Sequence, residues 1–148
     1  MVVFQLSRLK RIPRNIIDVS ERALTSWIIE VLAGRGETAR QHKRLNLTKI
    51  AVSYVSIGEI YEVAVHYTNP QAHLSSFREF LAPFNRLTLH EPIMETFAEV
   101  RAHLRRRGKI ISDFDMLIGA TALHYNLIVL TLNKKHFERI PDIQIHPF

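Results

Sequence analysis

The chain has 148 residues, 47% of them hydrophobic, which is typical of one globular domain with a full core. It contains no cysteine, which excludes disulfides, thiolate nucleophiles and cysteine-ligated zinc. Lysine and arginine outnumber aspartate and glutamate by 20 to 14, and the net charge of +6 favours an anionic partner such as nucleic acid. No apolar run could span a membrane and no secretory signal is recognisable, so we expect a cytoplasmic protein.

The N-terminal third can be read in two registers. In the preferred register, residues 1–15 are a basic lead-in, and a short strand at residues 15–17 ends at Asp18. In the second register, residues 2–6 form the first strand and Ser7 follows it. A helix with apolar positions at helical spacing is predicted over residues 20–32, and Gly34 and Gly36 end it.

The remainder alternates strands with helices. Strands are predicted at residues 49–53, 86–89 and 127–131, with an edge strand at 143–145. Helices are predicted at 56–65 and 71–81, and a longer one starts near Pro92 and ends at Gly108. This alternation predicts βαβ units and a parallel sheet with helices on both faces, in a single domain over residues 1–148.

A last helix, which opens at residue 113, is rich in small residues. Two acids, Asp113 and Asp115, sit at its N-terminal end. Its small residues let it lie close to a neighbour, while its larger apolar residues fill the core. The small residues are Gly119, Ala120 and Ala122, and the larger ones are Leu117, Ile118 and Leu123.

Acidic and amide side chains are expected to gather at one edge of the sheet, because ligand sites in such sheets lie beyond the carboxyl ends of the strands. Asp18 ends the first predicted strand, Glu59 lies one helical turn beyond the second, and Asn133 follows the fourth. Asp113 and Asp115 open the helix that precedes that same fourth strand. Oxygen ligands of this kind suit Mg²⁺ or Mn²⁺. Such an ion polarises a phosphoryl oxygen and activates a water, so a basic protein with this site points to a phosphodiester substrate.

Each acid also has a structural interpretation. Ser56 and Glu59 fit a capping box, Ser112 and Asp115 form a similar pattern, and Asp18 could cap the helix after it. The eight histidines lack metal-ligand spacing and are interpreted as surface or rim residues: His42, His66, His73, His90, His103, His124, His136 and His146.

Four segments resemble the PIN-domain family, and specifically the VapC-type toxin ribonucleases. Residues 50–61 resemble the strand and Ser/Thr–Glu segment that carries the family's second acid. Residues 115–123 resemble the Asp-x-Leu-Ile-Ala-Ala-Thr-Ala segment that carries its third. Residues 130–137 resemble the strand that ends in Thr-x-Asn or Thr-x-Asp, and residues 145–148 resemble family C-termini. The likeness runs from about Lys49 to the end.

The resemblance implies a three-layer α/β/α PIN-like domain with a central, mostly parallel sheet. It also implies an endoribonuclease toxin dependent on Mg²⁺ or Mn²⁺, a homodimer, and a cognate antitoxin. By the same resemblance Asp18, Glu59 and Asp115 are metal ligands and catalytic residues. Asn133, also counted as catalytic, stands where many relatives have a fourth acid, and Asp113 could supply a compensating carboxylate.

The first segment departs from this pattern. Relatives usually begin with a strand that runs into Asp-Thr-Asn and an apolar helix, whereas residues 17–24 read Ile-Asp-Val-Ser-Glu-Arg-Ala-Leu. This departure motivates an alternative, a degenerate PIN domain that binds RNA or a partner protein without cleavage. A receiver-like signalling domain is a third interpretation, which the order of segments fits poorly. Basic residues such as Arg22, Arg105, Arg106, Lys134 and Lys135 could bind RNA, but the sequence does not rank them.

Overall fold

The computed structural model describes residues 3–6, 50–131 and 133–145, which form one five-stranded sheet and five helices. The strands are β1 (Val3–Leu6), β2 (Ile50–Ser53), β3 (Asn85–Leu87), β4 (Leu127–Leu130) and β5 (Gln144–Ile145). The helices are α1 (Tyr54–Val65), α2 (Pro70–Leu81), α3 (Glu91–Arg106), α4 (Asp113–Tyr125) and α5 (Lys134–Phe137). The sequence predicted all of these after residue 49 except the short α5.

The strand order is β3-β2-β1-β4-β5. β2 pairs with β3 and β4 pairs with β5 in parallel, whereas β1 is antiparallel to both of its neighbours. Four of the five strands therefore run in the same direction. The predicted α/β class with a mostly parallel sheet is confirmed, and the single-domain organisation of residues 1–148 stays a prediction.

The central strand, β1, lies within residues 1–15, which the preferred register assigned to a basic lead-in. β1 belongs to the second register, and it lies between β2 and β4. The preferred first strand at residues 15–17, together with Asp18, lies outside the described residues. Because β1 runs opposite to its neighbours, its first residue, Val3, lies beside Val52 of β2 and Leu130 of β4. The N-terminal end of β1 thus meets the carboxyl ends of both strands.

Helix α1 begins one turn earlier than its predicted capping box. The N-cap is Ser53, whose hydroxyl accepts a hydrogen bond from the backbone N–H of Ser56 at 3.0 Å. Ser56 is buried inside the first turn, with its Oγ 3.0 Å from that of Ser53. The prediction that Ser56 caps the helix is therefore wrong, because β2 runs into α1 without a loop. Glu59 lies inside the helix and not at its capping position.

Helices α3 and α4 pack together and carry much of the core. Gly108, with φ of 62°, follows the end of α3, and Asn126 caps α4 in the left-handed conformation. Gly119 lies against the Ile140 side chain, a close approach that only a residue without Cβ permits. Of the predicted core residues of α4, Ile118 is fully buried, and Leu117 and Leu123 are half-buried. The small residues are buried as predicted: Gly119, Ala120 and Ala122.

Within the ranges that the structure describes, none of the helices has the length and apolar character that a membrane crossing requires.

Candidate functional site at the carboxyl edge of the sheet

Two strands deliver buried hydroxyl groups to the same edge of the sheet. β2 ends at Ser53 and β4 is followed by Thr131, and both residues are fully buried. Val52 and Leu130 both pair with Val3, so they stand level on either side of β1, roughly 10 Å apart at the usual strand spacing. The segments that follow β2 and β4 therefore begin on either side of β1, about two strand spacings apart at this edge.

The turn after β4 is fixed by its threonine. The backbone N–H of Asn133 donates to Thr131 Oγ1 at 2.9 Å. This local hydrogen bond from backbone to hydroxyl supports a tight turn in place of a further strand residue. The Thr-x-Asn pattern thus has a physical purpose, because the buried threonine sets the position of the amide.

Asp115 reaches this turn from the first turn of α4. Its Oδ2 lies 2.8 Å from Nδ1 of His136 in α5, and the side chain is only 16% exposed. The amide of Asn133 lies 2.7 Å from the same Nδ1. Ser112 caps α4 by accepting from the Asp115 N–H at 3.0 Å, which fixes the backbone beneath the carboxylate. The predicted association of Asp115 with Asn133 at the end of β4 is therefore present, with His136 between them.

The two contacts of His136 constrain its tautomer. A ring nitrogen either donates one hydrogen bond or accepts one, and an ionised carboxylate only accepts. Nδ1 must therefore carry the hydrogen and donate to Asp115. The Asn133 Nδ2 atom, which lies 2.7 Å from Nδ1, cannot donate to a nitrogen that carries a hydrogen, and a half-turn of the side-chain amide would place its oxygen there instead. His136 in this state holds the Asp115 carboxylate beside the turn after β4.

Asp113 has a different environment from Asp115. Its Oδ1 forms an ion pair with Nη2 of Arg101 in α3 at 3.2 Å, and its side chain is 53% exposed. The Arg101 guanidinium also lies over the Phe97 ring, at 5.7 Å from the centroid. Asp113 therefore links α4 to α3, and its predicted role as a compensating carboxylate stays a prediction.

Glu59 lies on α1, the helix that follows β2 directly. It stands six residues after Ser53, about 9 Å along the axis from the end of β2, and its Oε2 atom is buried. α1 contacts α4, the helix that carries Asp115. Asp18 lies outside the described residues, so the predicted three-carboxylate set stays a prediction. Among the residues that are described, no three His, Asp or Glu side chains converge as metal ligands.

Sequence reasoning assigned His136 to the surface or rim together with the other histidines. Its side chain is 40% exposed, yet it contacts two predicted site residues. One signal was available, because residues three apart on a helix face the same side and Asn133 precedes His136 by that interval. Two other histidines form a ring cluster with Tyr125 away from the acids: His90 and His124.

Comparison with known proteins confirms the predicted resemblance. A family model described as PIN domain matches residues 25–143. The tRNA(fMet)-specific endonuclease VapC of Salmonella typhimurium is 26% identical over 121 residues, which cover 82% of this chain and 92% of that protein. Ribonuclease VapC2 of Haemophilus influenzae is 27% identical over 116 residues, covering 78% of this chain and 88% of that protein.

Solved structures share the fold. DNA-bound VapBC from Salmonella typhimurium matches with a TM-score of 0.74 at 24% identity, over 86% of this chain and 94% of the matching chain. VapBC2 from Rickettsia felis, bound to a promoter DNA fragment, matches with a TM-score of 0.72 at 21% identity, over 88% and 96% of the two chains. The predicted PIN-like α/β/α fold is therefore confirmed.

Proposed function

The chain belongs to the PIN-domain family, and from this membership we propose that it is a divalent-metal-dependent endoribonuclease, the toxin of a toxin–antitoxin pair. The observation that carries the proposal is the placement of Asp115 at the carboxyl edge of the sheet, where His136 holds it beside Asn133. The names of similar curated proteins, ribonucleases and endonucleases called VapC, support the same reaction class.

The donor set fits a hard cation. Glu59 and Asp115 offer carboxylate oxygens from α1 and α4, two helices that contact each other, and Asp18 is the third proposed ligand. A bound Mg²⁺ or Mn²⁺ supplies charge neutralisation at the phosphate and activation of a water. Asn133 is neutral, so its amide orients the water or a phosphate oxygen and adds no charge. His136 keeps Asp115 in place, and the exposed Lys135 adds positive charge next to the site.

The proposed partners are RNA as substrate, a cognate antitoxin that blocks the site, and a second copy of the chain in a homodimer. The description of similar solved structures as VapBC supports the antitoxin. A cytoplasmic location is proposed with them, since RNA is the substrate.

Two matched variants test the proposal. Asp115→Asn should abolish metal-dependent RNA cleavage, because it removes the charge that binds the cation and leaves the shape of the side chain. Asp113→Asn is the comparison, since it makes the same change two residues away at a carboxylate that is paired with Arg101 and is not one of the proposed ligands, and a loss of cleavage in it would support the compensating role instead. It should retain cleavage and lose at most about 1 kcal/mol of stability. Cleavage by Asp115→Asn at the parent rate would contradict the assignment.

A second candidate is a PIN domain that binds RNA or a partner protein without cleavage, and the start of the family match favours it. The match begins at Thr25, so Asp18 lies before it. Thr25 and Ser26 lead into the apolar residues 27–29, the order in which the resemblance has Asp-Thr-Asn and an apolar helix. Leu24 then stands where that pattern has its first acid. A leucine binds no cation, and this alignment leaves two of the three proposed carboxylates.

Two further variants separate these candidates. If Asp18 is a ligand, Asp18→Asn abolishes cleavage and Leu24→Asp gains nothing. If the second candidate is right, the wild type and Asp18→Asn both lack cleavage, and Leu24→Asp introduces Mn²⁺-dependent cleavage. Binding of Mn²⁺ by each variant, measured by calorimetry, reports on the site independently of RNA.

A further inference from the structure

The end of α3 and the start of α4 form a continuous exposed surface next to the acids. All residues from 105 to 110 are exposed, and four of them are cations: Arg105, Arg106, Arg107 and Lys109. No Asp or Glu occurs between residues 100 and 112, and none of these four cations forms an ion pair with another described residue. The segment is therefore strongly positive, and within it Arg106 lines a pocket together with Glu99 and Asp142, which leaves Arg105, Arg107 and Lys109 as the cations best placed for a ligand.

Two large apolar side chains continue this surface. Ile110 is 47% exposed and Phe114 is 54% exposed. Phe114 lies in the first turn of α4, immediately before Asp115 in the chain. Cations in the last turn of a helix also offset its dipole, which accounts for charge at the end of α3. The dipole does not account for an exposed phenyl ring in the first turn of the helix that carries Asp115.

The surface is held at the same end of the molecule as the site. A short connection joins α3 to α4, which pack together, so the C-terminal end of α3 lies near the N-terminal end of α4. Nη1 of Arg139 donates to the Ile110 carbonyl at 3.3 Å, which ties the connection to the segment after α5. α5 in turn carries His136, the partner of Asp115.

We propose that the exposed residues 105–110 and Phe114 are the docking surface for single-stranded RNA, an inference that rests on the proposed ribonuclease function for its link to catalysis. The exposed cations bind backbone phosphates, and an unpaired base stacks on Phe114 next to Asp115. Stacking on a side chain requires a base that is free of its helix, since the bases of an A-form duplex are already stacked and paired. The surface therefore selects single-stranded or looped RNA over duplex.

RNA binding is measured in EDTA, so that metal-dependent cleavage does not change the RNA during the measurement. The probes are a short single-stranded RNA with a fluorescent adenine analogue and the same strand annealed into a duplex. Phe114→Ala should weaken binding of the single strand about 5- to 150-fold, the range for loss of one stacked base. Phe114→Trp should restore it. Met94→Ala, which removes another exposed apolar side chain on α3, should bind as the wild type does.

The charge component has its own readout. The double variant Arg105→Gln/Arg107→Gln should lower the slope of log affinity against log salt by about 0.7 for each backbone phosphate that the variant no longer neutralises. The control Arg78→Gln/Arg86→Gln removes the same charge from exposed positions on α2 and β3, and it should leave the slope unchanged.

Wild-type affinity in Phe114→Ala would overturn the inference, as would an equal loss of single-strand and duplex binding. A change of oligomeric state in Phe114→Ala with RNA affinity intact would also overturn it, since the surface would then be a protein interface. If the wild type binds RNA through this surface but never cleaves, the proposed function fails and the docking surface stands. If the wild type cleaves RNA and Phe114→Ala binds and cleaves RNA as well as the wild type does, the docking surface is wrong and the proposed function stands.

Discussion

At the scale of single residues, the site depends on an imidazole that connects the end of β4 to the start of α4. Nδ1 of His136 donates to Asp115 and faces the Asn133 amide, so two segments far apart in the chain share one hydrogen-bonded cluster. Groups that orient a metal-binding side chain without binding the metal commonly contribute to affinity and rate. His136 is therefore a positioning residue in the proposed reaction.

Removing this hydrogen bond should reduce activity without unfolding the protein. His136→Ala is expected to lower Mn²⁺ affinity or cleavage about 10- to 100-fold, because the Asp115 carboxylate loses its orienting donor. His136→Asn places an amide N–H near the position of Nδ1–H and should retain most of both. Calorimetric Mn²⁺ titration provides a readout that does not depend on RNA. Equal behaviour of the alanine and asparagine variants would show that the donor does not matter.

The sequence predicted part of this cluster. Asp115 and Asn133 were identifiable, because each stands in a local pattern with a physical cause, a helix first turn and a threonine-supported turn. His136 was not, since its contact with Asp115 spans 21 residues and exists only once α5 folds against α4. Spacing within one element can be read from sequence, but contacts between elements depend on how those elements pack.

At the scale of elements, α4 is defined by how closely it lies against the rest of the chain. A Cβ at Gly119 would meet Cδ1 of Ile140, a buried side chain that belongs to the core cluster. A Cβ at Gly58 on α1 would meet nothing within 4 Å. Packing therefore favours glycine at position 119 and does not require it at position 58, although the two helical glycines look alike in the sequence.

Alanine at these two glycines should change stability in opposite directions. Gly119→Ala should destabilise the protein by about 1–2 kcal/mol, because overpacking of the core exceeds the gain in helix propensity. Gly58→Ala should stabilise it by up to about 1 kcal/mol. Adding Ile140→Val, which removes Cδ1, should recover part of the loss in Gly119→Ala. Urea unfolding is measured for the wild type, the two glycine variants, Ile140→Val and the double variant, and strict additivity of Gly119→Ala and Ile140→Val would contradict the proposed contact.

The beginning of α1 shows where element-level prediction fails. The Ser/Thr–Glu pattern favoured a cap at Ser56, and the observed cap is Ser53, the last residue of β2. Both serines precede helical residues, so propensity alone does not distinguish them. β2 ends at Ser53 and α1 begins at Tyr54, so no loop residues separate them and the last strand residue becomes the N-cap.

At the scale of the whole molecule, strand direction was the least predictable feature. The four strands after residue 49 run in the same direction, as the alternation with helices predicts. β1 runs against them, and its direction follows from no local pattern in residues 3–6. Asn133 follows β4 and lies with Asp115 of α4 around His136, whereas Glu59 lies on the helix that follows β2.

The most direct test of the account is a titration of the purified full chain with Mn²⁺, following metal binding and RNA cleavage in the same samples. We expect saturable Mn²⁺ binding and metal-dependent cleavage of single-stranded RNA, with both lost in Asp115→Asn and both kept in Asp113→Asn. Cleavage that persists in EDTA, or Mn²⁺ affinity that is equal in the wild type and Asp115→Asn, would contradict the central claim that the acids at this edge of the sheet hold a catalytic cation.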